Sequence, residues 1–272
     1  MTVLCILTCF NRKCKTENCI RKLVQHNPNV RFTFIVVDDN SSDGTKIMLE
    51  QIKNEYDVHT IDGSGNLFYS GGMRMGMQYA IDNYLNYDYL LMVNDDVDFL
   101  PSSIETMIEQ SQEQKRAVVI GATKNTSGHL SYSAIKYSKG YKYRHLQIDE
   151  WQQEADTFNA NCVLIPYNYF VSVGPIDNYY THSLGDFDYG LELKRHGYKM
   201  YVSRNYCGIC NQNSFEGTWL DTKLSLKTRL TIKESAKGVP VRQWFYFLKK
   251  NLGLGYALIG SITPYLRILI HK

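Results

Sequence analysis

Over its first 125 residues the chain alternates short apolar runs with amphipathic stretches. The apolar runs, rich in β-branched and aromatic residues, are predicted as strands: 2–8, 32–37, 58–61, 89–93 and 117–121. The stretches between them have apolar residues at helical spacing and are predicted as helices: 16–26 with Thr16 as its N-cap, 44–56, 73–84, and a segment from Pro101. This alternation predicts an α/β fold, with a mostly parallel sheet and helices on both faces.

The pattern changes in the second half of the chain. Residues 122–155 are polar and rich in tyrosine without a clear period, so we expect loops there. Two strands and one helix are predicted after them: residues 158–166, 199–202 and 188–196. From Leu224 the chain becomes basic and helical. We therefore predict one α/β domain, residues 1–222, followed by a helical extension, residues 223–272.

Charge is distributed unevenly along the chain. The net charge is +3, yet residues 222–272 hold ten Lys or Arg and a single acidic residue, Glu234. Such a basic segment predicts an anionic partner. Because the segment is also rich in large apolar residues, an anionic membrane surface is favoured over nucleic acid.

Apolar residues in the extension repeat at helical spacing, with basic residues beside them. The repeat comprises Val241, Trp244, Phe245, Phe247, Leu248 and Leu252. It predicts an amphipathic helix at a membrane interface. Residues 251–266 are uncharged but contain three glycines and a proline, and a spanning helix needs about 20 apolar residues. We therefore favour a segment that lies on the membrane over one that spans it or packs against the core.

Cysteine content and the amino-terminal sequence predict a cytoplasmic protein. The seven cysteines are odd in number and lie mostly in apolar surroundings, which favours reduced thiols. The first ten residues are apolar but have neither a basic leader nor a small-residue cleavage site, so they do not resemble a secretory signal.

Three carboxylates in four positions follow the predicted strand 89–93. Asp95, Asp96 and Asp98 lie at the edge where open α/β sheets bind ligands. Clustered carboxylates repel unless a cation lies between them, and a hard divalent cation would also neutralise phosphate. The sequence therefore favours a metal site here, with a solvated acidic strand end as the structural alternative.

Two other segments have the composition of ligand-binding loops. Asp38 and Asp39 follow a buried strand, and one of them could accept hydrogen bonds from a nucleobase or ribose, or cap the next helix. Glycines between residues 63 and 72 precede a helix, as in phosphate sites, and Arg74 could reach a diphosphate. The segment has neither G-x-G-x-x-G spacing nor a Walker G-K-[ST], so an ordinary turn stays the alternative.

Asp186 and Asp188 lie at the start of the predicted helix 188–196. An acid in the loop before a helix can act as a general base. It can equally cap the helix by accepting hydrogen bonds from its first backbone N–H groups. The sequence pattern leaves both roles open for this pair.

Taken in order, four motifs resemble those of glycosyltransferase family 2. They are Thr8-Cys9-Phe10-Asn11-Arg12, residues 37–45, Asn94-Asp95-Asp96-Val97 and Gly185-Asp186-Phe187-Asp188. Each is modest, but their order and spacing across residues 1–215 are specific. The family consists of inverting, nucleotide-sugar-dependent enzymes with a GT-A fold. The chain looks most like bacterial members that build surface polysaccharides such as O-antigen or capsule, including rhamnosyltransferase-like enzymes, in residues 65–72 and 217–219.

The resemblance implies a role for each matching position. Asp39 would accept a nucleobase N–H, Asp186 would be the catalytic base, and Asp96, with Asp98 compensating for a missing acid, would hold Mn2+ or Mg2+. The residues that would bind a UDP- or dTDP-linked donor sugar are Thr8, Phe10, Asn11, Asp39, Asn66, Gly72, Met73, Arg74, Asn94 and Asp95. Those that would contact the acceptor are Asn161, Asp188 and Trp219.

The sequence departs from the family pattern at two places. The usual D-x-D is Asn94-Asp95-Asp96 here, so its first acid is missing. The stretch 207–211 lacks the histidine that binds the metal in many relatives. We therefore expect few protein ligands to the metal, with water completing its coordination.

The resemblance implies a metal-dependent inverting hexosyl- or rhamnosyltransferase, peripheral on the inner face of the bacterial plasma membrane. Its acceptor would be a lipid-linked saccharide of the undecaprenyl diphosphate type, and a homodimer is left open. Two other functions compete. A sugar-phosphate nucleotidyltransferase would need a glycine-rich basic loop near the amino terminus, and residues 8–15 contain no glycine. A non-catalytic nucleotide- or carbohydrate-binding module would explain the degenerate metal motif.

Overall fold

The computed structural model describes residues 1–83 and 86–270. Its strands are β1 Thr2–Cys9, β2 Arg31–Asp38, β3 Val58–Asp62, β4 Tyr89–Asn94, β5 Asp98–Phe99, β6 Val118–Lys124, β7 Leu130–Tyr132, β8 Ala134–Tyr137, β9 Tyr143–His145, β10 Thr157–Phe158, β11 Cys162–Pro166 and β12 Met200–Ile209. Its α-helices are α1 Lys13–His26, α2 Thr45–Ile52, α3 Phe68–Asn83, α4 Ser103–Glu113, α5 Tyr167–Val173, α6 Gly185–Arg195, α7 Leu226–Lys233, α8 Val241–Leu252 and α9 Leu254–Ile270.

Nine of the described strands form one mixed sheet. Its order is β3-β2-β1-β4-β11-β6-β12-β5, with β7 paired to β6. The first four strands run parallel, β11 is antiparallel to both neighbours, and β6 and β12 are parallel to each other. The strands β10, β8 and β9 form a small antiparallel sheet. The predicted α/β class with a mostly parallel sheet is therefore confirmed.

Two apolar cores lie on the two faces of the large sheet. Alternate side chains of a strand point to opposite faces, so Val3 and Leu7 of β1 pack with α1, α2 and α4, whereas Leu4 and Ile6 pack with α3, α5 and α6. All four of these side chains are fully buried. Burial on both faces explains why the central strands are continuous apolar runs in the sequence.

The register of the central strands brings the polar strand ends together. Thr8 at the end of β1 lies between Val37 of β2 and Asn94 of β4. Cys9 lies opposite Asp38. The motifs that follow β1, β2 and β4 therefore meet at one carboxyl edge of the sheet, where α/β folds bind ligands.

Several predicted boundaries are wrong in the first half of the chain. Helix α1 begins at Lys13, and Thr16 lies inside it, with its Oγ1 3.1 Å from the Arg12 carbonyl oxygen. The amino end of α1 is instead served by Asp43, which accepts the Lys13 N–H (2.9 Å). Helix α2 ends at Ile52 rather than at residue 56. Tyr84, the last residue of the third predicted helix, lies outside the described residues.

The second half also differs from the prediction. Residues 122–155 include three short strands rather than loops throughout, and the single predicted strand 158–166 is divided into β10 and β11. Helix α6 begins at Gly185, so Asp186 lies in its first turn and not in the preceding loop. Strand β12 continues seven residues beyond the predicted end at Val202.

The extension packs against the α/β domain through α8. Phe247 and Leu248 are buried together with Tyr180, and Phe187 and Leu191 pack around them. The apolar face of α8, which the sequence predicted at a membrane interface, therefore packs against the core. In the described part of the extension, the exposed large apolar residues belong to α9, apart from Leu226 of α7. Within residues 1–83 and 86–270, the structure contains no helix that is both long and apolar enough to cross a membrane.

Candidate active site

An arginine lies between two of the carboxylates that follow β4. Arg12 Nη1 is 2.7 Å from Asp95 Oδ1 and 3.0 Å from Asp96 Oδ2. The other oxygen of Asp95 accepts a hydrogen bond from Thr16 Oγ1 (3.0 Å). Burial raises the pKa of Asp95 above its ordinary value, although Arg12 opposes the shift. The cation that clustered acids require is therefore supplied here by the protein itself.

Of the two carboxylates beside Arg12, Asp96 is the one that is open to solvent. Its side chain is 26% exposed, compared with 4% for Asp95. Cys210 Sγ at the end of β12 lies 3.8 Å from Asp96 Oδ1. Burial, and then the negative charge of Asp96, raise the pKa of the Cys210 thiol to about 12.

Asp98 does not join Asp96, which corrects its predicted role as a second metal ligand. The chain turns at residues 95–96, and Asp98 then forms an ion pair with Lys22 of α1. In the part of the chain that the structure describes, no group of three or more His, Cys, Asp or Glu side chains is placed to hold a metal ion. Asp96 still fits a cation of the Mg2+ type, which binds through one or two carboxylates together with substrate phosphates and water.

Asp39 fixes the loop that follows β3. Its carboxylate accepts three backbone N–H groups, from Gly65 (2.7 Å), Leu67 (2.9 Å) and Phe68 (3.1 Å). A carboxylate has about four acceptor positions, so one is left for a nucleobase N–H. Asn66, predicted to bind the donor, is an exposed residue of this loop.

Three predicted donor contacts on α3 have structural roles instead. Gly72 lies inside the helix, and a Cβ there would overlap Thr8 Oγ1, so glycine allows α3 to pack closely against β1. Met73 is fully buried in the core. Arg74 donates to the carbonyl oxygens of Tyr180 (3.1 Å) and Asp177 (3.4 Å), so its guanidinium holds the segment that precedes α6. These predictions are corrected because the glycine pair is inside a helix and does not form a phosphate-binding turn.

Two residues after β1 keep positions that suit donor binding. Phe10 is exposed, with 52% of its surface open to solvent. Asn11 has a positive φ of 51° and accepts the Ser42 N–H (2.7 Å) through its side chain. Its own N–H donates to Ser41 Oγ (2.8 Å). Asn11 therefore joins the loop after β1 to the loop after β2 and presents Phe10 at their junction.

Residues 160–161 connect the end of β4 to Asp186. Asn94 donates a side-chain hydrogen bond to Asn161 Oδ1, and its backbone N–H donates to the Asn161 carbonyl oxygen (3.1 Å). The next backbone N–H upstream, that of Ala160, donates to Asp186 Oδ2 (3.2 Å). Asn161 is 6% exposed and bonded to Asn94, so it supports this corner of the site and does not present its amide to an acceptor.

Asp186 combines the features of a general base. Burial raises its pKa to about 6, against the lowering effect of the Ala160 and Phe187 N–H groups. Its charge adds to burial in raising the pKa values of Tyr69 and Tyr143, which places both rings nearby. A carboxylate with a pKa near neutrality can take a proton from a hydroxyl in the transition state.

The start of α6 is fixed tightly by its neighbours. Leu184 before it has a positive φ of 72°, and a Cβ at Gly185 would overlap Ser70 of α3. Thr157 Oγ1 donates to the Phe187 carbonyl oxygen (2.6 Å). These contacts hold Asp186 in one position relative to α3 and β10.

A sequence model of the family described as Glycosyl transferase family 2 matches residues 4–166, more than half of the chain. The chain belongs to this family. The match includes the motifs after β1, β2 and β4, and it ends before Asp186. The resemblance stated from the four motifs is therefore confirmed.

Individual relatives are more distant. The low-salt glycan biosynthesis hexosyltransferase Agl10 of Haloferax volcanii is 26% identical over 167 residues, which cover 59% of this chain and 52% of that protein. The chain thus matches about half the length of this curated relative.

Solved structures share the fold over nearly the whole chain. The mannosyltransferase PcManGT from Pyrobaculum calidifontis, in complex with GDP-Man and Mn2+, has a TM-score of 0.61 at 9% identity, covering 99% of this chain and 73% of that one. S. aureus TarS 1–349, in complex with UDP-GlcNAc, has a TM-score of 0.62 at 12% identity, covering 98% and 90%. At these identities the likeness shows the fold, which is that of the GT-A glycosyltransferases.

Asp188 and Trp219 are the two other residues that the family resemblance implies would contact the acceptor. Asp188 is 2% exposed, and both of its oxygens accept hydrogen bonds from α8, one from Lys250 and the other from Asn251. It therefore does not face an acceptor. Trp219 lies between β12 and α7, where its carbonyl oxygen accepts from Arg229 Nε (2.9 Å). Its acceptor contact stays a prediction.

Sequence reasoning missed Arg12 and Cys210 as neighbours of the family's acidic motif. A signal for Arg12 was present, because it follows β1, and the carboxyl end of β1 adjoins that of β4 in a parallel sheet. The absence of the family's metal-binding histidine indicated that the stretch 207–211 lies near the metal motif. It did not indicate that Cys210 would contact Asp96.

Proposed function

We propose that this family 2 glycosyltransferase is an inverting enzyme that moves a hexosyl group, including rhamnosyl, from a UDP- or dTDP-linked donor to a hydroxyl of a lipid-linked saccharide. The observation that carries the proposal is the continuous connection from the carboxylates after β4, through residues 160–161, to Asp186. It joins a site for a nucleoside diphosphate to a half-buried base. The family match and the hexosyltransferase relative support the class of reaction.

The reaction begins with the acceptor hydroxyl against Asp186. The carboxylate takes the hydroxyl proton while the oxygen forms a bond to the anomeric carbon from the face opposite the nucleotide. The bond from that carbon to the diphosphate oxygen breaks, and its electron pair leaves with the nucleoside diphosphate. Positive charge develops on the sugar ring, as in glycoside cleavage. One displacement of this kind inverts the anomeric configuration.

The donor binds at the carboxyl edge of the sheet. The exposed ring of Phe10 stacks on the nucleobase, and the remaining acceptor position of Asp39 takes a base N–H. Asp96 would hold Mn2+ or Mg2+, which would supply positive charge to neutralise the diphosphate. Arg12, already beside Asp96, is placed to bind a phosphate oxygen.

An anionic membrane is the proposed surface on which the enzyme meets its acceptor. Helix α9 has an exposed apolar face, defined by Leu258, Ile259, Ile262, Leu266, Leu269 and Ile270, with 48% to 74% of each residue open to solvent. The helix contains no acidic residue, and Arg242, Lys249 and Arg267 are exposed on α8 and α9. An apolar face with basic residues near it suits the interface of an anionic bilayer.

The test is a transfer assay with a panel of nucleotide sugars, with and without Mn2+. Asp186→Asn should lower the rate by at least about 100-fold, the usual contribution of a general base. Its affinity for the nucleoside diphosphate, measured by calorimetry, should match that of the wild type. Asp149→Asn, an exposed acid outside the site, is the control. A variant Asp186→Asn that transfers sugar at the wild-type rate would refute the assignment.

A further inference from the structure

The carboxyl end of α8 is bonded to the first turn of α6. Lys250 Nζ lies 2.7 Å from Asp188 Oδ2, and Asn251 Nδ2 lies 2.9 Å from Asp188 Oδ1. Asp188 is 2% exposed and two residues from Asp186 on the same helical turn. A residue of the extension therefore neutralises a buried charge beside the base.

The same lysine also holds the segment that precedes α6. Lys250 Nζ lies 3.0 Å from Asp177 Oδ2, and Tyr246 OH donates to that oxygen as well (2.8 Å). Asp177 and Tyr180 in turn provide the carbonyl oxygens that Arg74 of α3 binds. The contacts of Lys250 with Asp188 and Asp177, here named the Lys250 bridge, thus tie α8 to both sides of the loop that leads into α6.

The Lys250 bridge consists of two ion pairs, and losing them would destabilise the fold around α6. Burial lowers the pKa of Lys250, but the hydrogen bonds and charges of Asp188 and Asp177 outweigh it and raise the pKa above its ordinary value. Asp188 is buried, and its cation is Lys250, which has 25% of its side chain exposed, so removing Lys250 leaves an uncompensated charge inside the fold and is destabilising at that place. Asp188 would then move toward water and carry the first turn of α6, with Asp186, away from its position.

We propose that Lys250 is a positioning residue for the catalytic base, so that the helical extension is a part of the catalytic unit. The inference rests on the proposed role of Asp186. Lys250 does not touch the reacting atoms; it acts through Asp188 on the orientation of α6. The family match ends at residue 166, so this contact belongs to the part of the chain beyond it.

The test compares Lys250→Met, Lys250→Arg and the matched control Lys249→Met, whose lysine is exposed on the same helix. Lys250→Met should lower kcat by about 100-fold, the scale on which a misplacement of about 1 Å acts. KM for the donor should stay at its wild-type value, because the donor site lies on other elements. Lys250→Arg should restore most of kcat, and Lys249→Met should not differ from the wild type. Equal kcat values for Lys250→Met and Lys249→Met would overturn the inference.

A second variant separates positioning from stability. In Asp188→Asn/Lys250→Met the fully buried carboxylate is gone, and Asp177, whose side chain is 22% exposed, keeps the hydrogen bond from Tyr246, so the melting temperature should recover toward the wild-type value. The bridge is still absent, so kcat should stay about 10-fold below the wild type, within the usual effect of a misplaced group. If kcat recovered fully together with the melting temperature, the Lys250 bridge would serve stability alone and the inference would fail.

A titration of Asp186 tests the positioning role of Lys250 without measuring turnover. An inactive wild type would therefore count against the proposed function and not against the Lys250 bridge. Carboxyl NMR should give Asp186 a pKa of about 6 in the wild type. In Lys250→Met that pKa should fall toward its ordinary value, because water reaches the displaced carboxylate. An unchanged Asp186 pKa in a folded Lys250→Met variant would contradict the proposal.

Discussion

At the scale of single residues, the chemistry depends on how burial tunes Asp186. Burial raises its pKa to about 6, so the carboxylate is protonated below that pH and cannot accept the acceptor's proton. We expect kcat to fall roughly tenfold per pH unit below about pH 6, as for a single essential base. A pH–rate profile from pH 4.5 to 8 checks this. A rate that stays constant down to pH 4.5 would exclude Asp186 as the base.

The same burial means that the ionised carboxylate of Asp186 lowers the free energy of unfolding at neutral pH. Its pKa is about 6 in the folded chain and about 4 in an unfolded one. The folded state therefore binds this proton more strongly, and the wild type loses stability as the pH rises from about 4 to about 6. Asp186→Asn should consequently have a higher free energy of unfolding at pH 8, and the difference should shrink as the pH falls through 6. Urea unfolding at pH 8 and pH 4.5 measures it.

The position of Arg12 predicts how strongly the site binds a divalent cation when no nucleotide is present. Its guanidinium occupies both Asp95 and Asp96, so an added divalent cation competes with it for Asp96. Arg12→Gln should therefore bind Mn2+ more tightly than the wild type when no nucleotide is present, as electron paramagnetic resonance can measure. Arg21→Gln, which removes a surface arginine paired with Glu55, is the matched control. Weaker Mn2+ binding by Arg12→Gln than by the control would contradict competition.

At the scale of elements, the close packing of α3 on β1 depends on Gly72. A Cβ at this position would overlap the Thr8 side chain. Gly72→Ala should lower the free energy of unfolding by about 1–3 kcal/mol, the usual cost of overpacking. Gly255→Ala in α9 has open space around it and should be neutral or stabilising by up to about 1 kcal/mol. Equal stabilities of the two variants in denaturant unfolding would show that α3 can move away from β1.

The elements that could be predicted from sequence are those that local pattern determines. The buried strands β1, β2 and β4 are continuous apolar runs, and such runs have few other structures available. The start of α6 could not be predicted, because contacts with Ser70 and Thr157, distant in sequence, fix it.

The candidate site, like the fold, could be predicted only in part from the sequence. The sequence assigned Asp96 and Asp186 to the site from the motifs that surround them, and their roles there stay predictions. The family resemblance implied that Asp98 would join Asp96, which is wrong because the chain turns at residues 95–96 and Asp98 pairs with Lys22. It also misplaced Arg74 and Met73, because two adjacent glycines predict a turn and here lie inside α3. Long-range packing decides these positions, and a local pattern does not contain it.

At the scale of the whole molecule, the extension has two faces with different roles. Helix α8 turns its apolar residues toward the α/β domain, and the α9 apolar face is open. Monomeric soluble proteins rarely expose apolar patches of this extent without a binding function. The basic residues near it and the lack of acids in α9 favour an anionic bilayer as the partner.

Point substitutions test this surface better than truncation, because deleting residues 238–272 would also remove Lys250. Ile259→Asp/Ile262→Asp should abolish flotation with anionic vesicles, since charge at an interface opposes burial of α9. Ile47→Asp changes an isoleucine of α2 that is 66% exposed and should leave flotation unchanged. Flotation of the α9 variant at the wild-type level would exclude its apolar face as the membrane contact.

The central claim is a single displacement at the anomeric carbon, with Asp186 as the base. Proton NMR of the first product formed from a donor of known configuration tests it most directly. We expect a transferred sugar whose anomeric configuration is opposite to that of the donor, with no such product from Asp186→Asn. A product that retains the donor configuration would exclude a single displacement.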